Sequence, residues 1–227
     1  MAEKTASAQN VEPDHRPAEN VVILFSGDSG DGMQLTGDQF TNTSAILGND
    51  VSTFPDFPAE IRAPAGTLAG LSGFQVNFSS EELYTAGDAP QVLIAMNPAA
   101  LKANLHIVET RGTIIVNIDA FTRNNLRKAG YEENPLDSTD DFRDYDLHEV
   151  PLTSMTRTAL KEIEGLSNQA RDKCKNALAL GLVYWIFDRP LETTEIFYTK
   201  KFVKIPDIAE ANIRALRAGY NFGMTTE

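Results

Sequence analysis

The chain has 227 residues, of which 42% are hydrophobic and 23% are charged, a balance that predicts a soluble globular fold. This length suits one large α/β domain or two small ones. A net charge of −12 argues against nucleic acid or an anionic membrane surface as the main partner. The single cysteine excludes a disulfide framework and a four-cysteine iron–sulfur cluster within this chain.

The two ends of the chain differ in character. Residues 1–20 are polar and lack the apolar core of a signal peptide, so we expect a disordered leader there and a folded domain over residues 21–227. No apolar run reaches the length that crosses a membrane, which favours a cytoplasmic location.

Apolar runs and helix signals alternate along the domain. The sequence predicts strands over residues 21–25, 51–57, 71–78, 91–96 and 113–118, and a weaker strand over 146–152. It predicts helices over residues 33–47, 99–109, 156–164, 167–187, 193–202 and 206–220. Residues 119–144 are polar and predicted to be irregular.

This alternation predicts an α/β fold, Rossmann-like, with a mostly parallel sheet covered by helices on both faces. Residues 21–25, 92–95 and 113–118 are apolar, so we expect them to be neighbouring strands at the centre of the sheet. In such sheets ligands bind at the carboxyl ends of the strands. The segments expected there are the loop 27–32, the connection 56–65 and the Asn97-Pro98 pair.

The loop after the first strand contains Gly27, Gly30 and Gly32, and this order of strand, glycine turn and helix is typical of nucleotide or phosphate sites. The glycine spacing is inverted relative to the dinucleotide fingerprint, which disfavours a plain NAD site. Asp28 and Asp31 make the loop awkward for a bare phosphate. A tight strand-to-helix turn, with Asp31 favoured near the first helical turn, accounts for both aspartates whether or not a ligand binds.

Two other motifs overlap this loop. Gly-Asp-Ser-Gly at 27–30 imitates the nucleophile segment of trypsin-like proteases, but no histidine lies in a recognisable protease context, so Ser29 is not expected to be a nucleophile. Gly-Asp-Gly at 30–32 matches the opening of a thiamine-diphosphate motif, in which the Asp would hold Mg²⁺. The closing Asn pair is absent at the required distance. We therefore expect neither a catalytic residue nor a metal ligand in this chain.

Two residues outside the loop are candidates for ligand contact. Arg62 lies in an apolar, proline-rich run and either clamps a phosphate or carboxylate, or pairs on the surface with Glu60 or Asp56. Asn97 precedes a proline-started helix, which is typical of a helix cap, with ligand contact as the alternative. Cys174 lies among helix-forming residues and is expected to be packed or incidental rather than reactive.

Three stretches of the chain resemble a known family. They are SGDSGDGMQLTGDQF at 26–40, TFPDFPAEIRAPAGTLAGLSGFQVNF at 53–78 and VLIAMNPAAL at 92–101, and they are similar to the γ domain of 2-oxoacid:ferredoxin oxidoreductases. More narrowly, they resemble the N-terminal part of a fused γ/α chain, most like the α subunit of 2-oxoglutarate:ferredoxin oxidoreductase. Where the wider family has G-x-G-G-x-G and E-x-R-G-G, this chain has GDSGDG and EIRAP.

The resemblance implies a coenzyme A-dependent oxidative decarboxylation of a 2-oxoacid, with electrons passed to ferredoxin. Coenzyme A, a substrate, would be contacted from this domain. Thiamine diphosphate, Mg²⁺ and the iron–sulfur cluster are implied to lie in other segments or subunits, and the α segment, the β subunit and, through the complex, ferredoxin are the implied partners. The isolated chain is then expected to be inactive. The candidate contact residues are Gly27, Ser29, Gly30, Gly32, Arg62 and Asn97.

Two other functions remain open from the sequence. One is a non-catalytic assembly module that seats the α and β segments of the same complex. The other is a stand-alone nucleotide-binding oxidoreductase.

Overall fold

The computed structural model describes residues 20–29, 32–56, 70–138 and 140–226. Residues 1–19 of the expected leader, Gly30, Asp31, Glu60 and Arg62 lie outside the described residues. The strands in these ranges are β1 Val21–Asp28, β2 Asp50–Asp56, β3 Leu71–Ser79, β4 Val92–Ala95, β5 Thr113–Asn117 and β6 Asp146–Val150. The α-helices are α1 Met33–Ile46, α2 Pro98–Asn104, α3 Arg123–Lys128, α4 Leu152–Ala159, α5 Asn168–Lys173, α6 Lys175–Ile186, α7 Glu192–Lys201 and α8 Pro206–Thr225.

The strands form one sheet in the order β2-β3-β1-β4-β5-β6. β1, β4, β5 and β6 run parallel, whereas β3 is antiparallel to both β1 and β2. The expectation that β1, β4 and β5 are neighbours inside the sheet is confirmed. Because these three strands are parallel, their carboxyl ends lie at one edge of the sheet, which we call the carboxyl edge.

Apolar cores cover both faces of this sheet. Ile23 and Phe25 of β1 enter a core shared with α1, α6 and α8, whereas Leu24 enters the opposite core shared with α2. Ile94 and Leu93 of β4 divide between the two cores in the same way. A strand that is buried on both faces has no position that favours a polar residue, which explains why these runs are apolar throughout.

β3 differs from the half-buried strand that its alternating pattern predicts, because both of its faces are covered. The loop that follows β3 covers the outer face. Gln75 Nε2 donates to the carbonyl oxygen of Gly87 at 2.7 Å, and Asn77 Nδ2 donates to that of Thr85 at 3.1 Å. The polar residues of the alternating pattern therefore bond the loop backbone instead of water.

The helix predicted over 167–187 breaks at Cys174 into α5 and α6. The Cys174 N–H donates to Arg171 O at 2.9 Å, which is a turn bond rather than an α-helical bond. α6 is mostly buried and α5 has no buried residue, and one straight helix does not satisfy both environments. Cys174 is 2% exposed and burial raises the pKa of its thiol to about 11, so the expected packing of this residue is confirmed.

Helix α4 begins at Leu152, earlier than the predicted helix over 156–164. The Asp119 carboxylate accepts from the Ser154 N–H at 2.6 Å and from the Ser154 hydroxyl at 2.9 Å, so it caps this first turn from the chain just after β5. A cap supplied from so far along the chain leaves no local sequence signal.

Residues 119–144, predicted to be irregular, also contain α3.

Helices α6 and α8 pack in very close contact. A Cβ atom at Gly181 would overlap the carbonyl oxygen of Leu216, and one at Gly219 would overlap that of Leu178. Only glycine lets the two backbones approach this closely. No helix in the described ranges is long and apolar enough to cross a membrane.

We expect Gly219→Ala to destabilise the protein, because the new Cβ would force α8 away from the Leu178 carbonyl oxygen. Alanine gains about 1 kcal/mol over glycine in a helix interior, whereas overpacking costs about 1–3 kcal/mol or more, and backbone overlap belongs at the upper end of that range. Urea unfolding measures the difference. Asn221→Ala, at an exposed position of the same helix, is the control and should be neutral or stabilising. Equal stability of the two variants would contradict the close contact.

Candidate functional site

The chain leaves the carboxyl ends of β1 and β4 in opposite directions. After β1 it enters α1, which packs on one face of the sheet, and after β4 it enters α2, which packs on the other face. The chain therefore diverges between two adjacent parallel strands, and in open α/β sheets the crevice at such a point is where ligands bind. We call the residues at this point, Asp28, Ser29, Gly32 and Asn97, the switch-point site.

Asn97 joins the ends of β1 and β4 through its side chain. Its Oδ1 accepts from the Ala100 N–H at 2.8 Å and caps α2, and its Nδ2 donates to Asp28 Oδ1 at 2.7 Å. Pro98 begins the helix, as the sequence pattern predicts. The cap is therefore present, and one oxygen of the Asp28 carboxylate is already bonded to a donor inside the protein.

Glycine is required at two positions of the loop for different structural reasons. A Cβ atom at Gly27 would lie 3.1 Å from Met96 Cβ and 3.2 Å from Met33 Sδ, so glycine lets the end of β1 pass between β4 and α1. Gly32 has a φ of 93° and is the N-cap of α1. This left-handed conformation is open to glycine and strained for most other residues.

Ser29 is exposed, and its backbone rather than its hydroxyl ties the loop to the sheet. The Ser29 N–H donates to Gly70 O at 2.8 Å, just before β3. The structure thus brings four of the six candidate contact residues to one edge of the sheet, namely Gly27, Ser29, Gly32 and Asn97. The other two, Gly30 and Arg62, lie outside the described residues.

Gln34, in the first turn of α1, is a residue that no sequence pattern identifies. Its Nε2 donates to Gly73 O at 2.8 Å, to Ser72 Oγ at 3.1 Å and to Asp56 O at 3.3 Å. It therefore joins α1 to the end of β2 and the start of β3. The only local signal is a polar side chain in the turn after a glycine loop, which is too common to be informative.

Helix α3 brings positive charge to the carboxyl edge of an acidic protein. Arg123 and Arg127 line a cleft of about 830 Å³, and Lys128 lines a smaller cavity of about 80 Å³ together with part of the switch-point site. Glu132 and Glu133 also line the larger cleft, which reduces its net charge. Cations at this edge favour an anionic ligand there.

The amide of Asn97 and the backbone N–H of Ser29 hold the strand ends together at this edge, through bonds to Asp28, to the Ala100 N–H and to Gly70 O. Lys128 lines the small cavity beside them and supplies a positive charge there. Within the described ranges, no group of three or more His, Cys, Asp or Glu side chains is placed to hold a metal ion. The thiol of Cys174 is buried and its raised pKa keeps it protonated near neutral pH, so it is not a ready nucleophile.

Residues 22–222 match the protein family described as pyruvate ferredoxin/flavodoxin oxidoreductase. The chain belongs to this family. The 2-oxoglutarate oxidoreductase subunit KorA of Mycobacterium tuberculosis is 52% identical over 221 residues, which are 97% of this chain and 34% of KorA. This pyruvate ferredoxin/flavodoxin oxidoreductase family member therefore spans about a third of the curated relative that it matches. The resemblance given by the sequence motifs is confirmed.

Solved structures of the pyruvate ferredoxin/flavodoxin oxidoreductase type share this fold at low identity. A 2-oxoglutarate:ferredoxin oxidoreductase from Magnetococcus marinus, with 2-oxoglutarate, coenzyme A and succinyl-CoA bound, has a TM-score of 0.69 at 23% identity over 92% of this chain and 32% of that chain. The γ subunit of a keto/oxoacid ferredoxin oxidoreductase from Geobacter sulfurreducens has a TM-score of 0.59 at 18% identity, over 91% of this chain and 99% of that chain. The expected α/β fold class is confirmed.

We expect Asn97→Asp to destabilise the protein more than Asn97→Ser. Both replacements keep an oxygen that caps α2 and both lose the Nδ2 donor to Asp28, but the aspartate also puts a second carboxylate against the Asp28 carboxylate. Loss of a hydrogen bond to a charged group costs about 1.5–3 kcal/mol in both variants, so the difference between them is the repulsion of the two carboxylates. Urea unfolding of the two variants at neutral pH measures this difference, and equal stabilities would show that the two side chains do not meet.

Proposed function

We propose that residues 21–227 are the γ-type domain of a 2-oxoglutarate:ferredoxin oxidoreductase. In the complete enzyme it supports the coenzyme A-dependent oxidative decarboxylation of 2-oxoglutarate to an acyl-CoA, with electrons passed to ferredoxin. The observation that carries this proposal is the 52% identity to KorA across nearly the whole chain. The match to a separate γ subunit over 99% of that subunit supports the domain assignment.

In this proposal the domain contributes to the coenzyme A side of the active site. The switch-point crevice is where this fold type binds ligands, and Lys128 of α3 places a cation beside it. The negative charge of Asp28 would repel an anionic ligand, but Asn97 Nδ2 already donates to the Asp28 carboxylate. That donor reduces the repulsion that a phosphate would meet there. The loop residues and Arg62 complete the proposed contact set.

The redox cofactors belong to other parts of the enzyme in this proposal. Residues of this chain do not fit an iron–sulfur cluster, because its single cysteine is buried within the helical layer. They do not fit Mg²⁺–thiamine diphosphate either, because the sequence lacks the closing Asn pair of that motif. The α segment and the β subunit are the proposed partners and carriers of these groups, and ferredoxin is the proposed electron acceptor in the cytoplasm.

The isolated chain is expected to oxidise no 2-oxoacid, even when thiamine diphosphate, Mg²⁺ and coenzyme A are supplied, because such a reaction needs a carbanion-stabilising cofactor and an electron carrier. The enzyme purified from its native source through a tag on this chain should reduce ferredoxin with 2-oxoglutarate only when coenzyme A is present. Pyruvate in place of 2-oxoglutarate is the substrate control. Turnover by the chain alone, or NAD binding by calorimetry without coenzyme A binding, would favour a stand-alone nucleotide-binding enzyme.

Arg62→Ala in the complete enzyme is expected to raise the KM for coenzyme A more than the KM for 2-oxoglutarate. A lost contact to an anion removes binding that ground and transition states share, so kcat should change little. A charged hydrogen bond of this kind is worth about 1.5–3 kcal/mol, or about 10- to 150-fold in KM. Arg143→Ala, which removes an exposed arginine paired with Asp140, controls for the change in charge.

The alternative to a coenzyme A contact at Arg62 is the assembly module. An unchanged KM for coenzyme A together with a lower yield of assembled enzyme would place Arg62 in an interface and favour that function. Arg62→Lys tests whether anion binding at this position needs the bidentate fork of arginine or only its positive charge, because a lysine keeps the charge but loses the fork.

A further inference from the structure

We propose that Asn117, the last residue of β5, is a positioning residue for the switch-point site. This inference rests on the proposed function, since its readout is the binding of coenzyme A by the complete enzyme. Asn117 is 1% exposed and lies at the carboxyl edge, one strand beyond the end of β4.

The Asn117 amide acts on the peptide that carries Asn97. Asn117 Nδ2 donates to the Met96 carbonyl oxygen at 3.4 Å and to Thr153 Oγ1 at 3.2 Å. The Met96 carbonyl only accepts hydrogen bonds, so the amide orientation is fixed by chemistry. Because that carbonyl belongs to the Met96–Asn97 peptide, Asn117 sets the plane from which the Asn97 side chain extends.

The same peptide segment is held from the other side by β1. The Met96 N–H donates to Ser26 O at 2.9 Å. Met96 is therefore fixed by β1 through its N–H and by Asn117 through its carbonyl. The next residue, Asn97, accepts from the Ala100 N–H through its Oδ1 and donates to Asp28 through its Nδ2. Satisfying both partners at once requires a defined backbone orientation, which the Asn117 bond supplies.

The two donor bonds of Asn117 are its described contribution at the strand end. Within the described residues, Asn117 Oδ1 is buried and has no hydrogen-bond partner. Its Nδ2 joins the Met96 carbonyl oxygen, after β4, to Thr153 in the first turn of α4. The placement of this donor, rather than the burial of the amide, is what links Asn117 to the orientation of Met96–Asn97.

The test compares Asn117→Ala with Asn77→Ala in the complete enzyme. Asn77 is a matched control, because it is also 1% exposed and lies in the same sheet, on β3, and its Oδ1 likewise has no hydrogen-bond partner in the described ranges. It pairs with Val22, near the amino end of β1 and away from the switch-point site. Both variants lose a buried amide, so a purely structural effect should be similar in the two.

We expect Asn117→Ala to raise the KM for coenzyme A by about 10-fold, with the KM for 2-oxoglutarate and kcat within about twofold of the parent enzyme. Asn77→Ala should leave all three unchanged. Asn97→Ala should raise the KM for coenzyme A as well, and the double variant Asn97→Ala/Asn117→Ala should be no worse than Asn97→Ala, because Asn117 acts through Asn97. Asn117→Asp keeps the side-chain size while removing the donor, and it should behave like Asn117→Ala.

The outcomes separate this inference from the function on which it rests. A parent enzyme without coenzyme A-dependent oxidation of 2-oxoglutarate overturns the proposed function. With that activity present, the positioning role is overturned if Asn117→Ala leaves the KM for coenzyme A unchanged, if Asn97→Ala does so, or if the double variant is additive. It is equally overturned if both Asn117 variants fail to assemble while Asn77→Ala assembles, because Asn117 would then be part of the scaffold.

Discussion

Burial of β1 on both faces is the constraint on which the rest of the structure depends. β1 lies between the antiparallel β3 and the parallel β4, and its alternate residues enter different cores. A strand in this position requires helices on both sides. The chain meets that requirement by sending α1 to one face and α2 to the other, and the switch-point crevice at the end of β1 is a direct consequence of covering both faces.

Polar groups are placed at the ends of β1, β4 and β5 rather than along them. Ser26 and Asp28 end β1, Asn97 follows β4, and Asn117 ends β5. Interior positions of these strands lie between two apolar cores, where an unpaired polar group is costly, so the carboxyl edge is the first place at which amides and carboxylates find partners. The hydrogen bonds from Asn97 to Asp28 and from Asn117 to Met96 make this edge a connected layer that links three strands.

The chain belongs to the pyruvate ferredoxin/flavodoxin oxidoreductase family, and the polar groups at its carboxyl edge hold the strand ends together. The Asn97 amide and the Ser29 N–H are bonded within the protein, and Lys128 lies beside them and supplies a positive charge. The negative charge of the loop is partly compensated, since Asp28 accepts a hydrogen bond at 2.7 Å from Asn97.

The sequence by itself determined the fold class, the central strands β1, β4 and β5, the cap at Asn97 and the family, because apolar runs, helix-start signals and long motifs are local properties of the chain. It did not determine the covered outer face of β3, the break at Cys174 or the early start of α4. The covered face of β3 and the early start of α4 depend on partners elsewhere in the chain, the loop carbonyl of Gly87 and the Asp119 carboxylate. The break at Cys174 goes with the difference in burial between α5 and α6, which only the packing of the domain sets. The Asn97–Asp28 and Asn117–Met96 bonds likewise join residues that lie far apart in the sequence. Hydrogen bonds between strands that are remote along the chain form only when the sheet has set their spacing, so only the tertiary structure decided how the candidate site is connected.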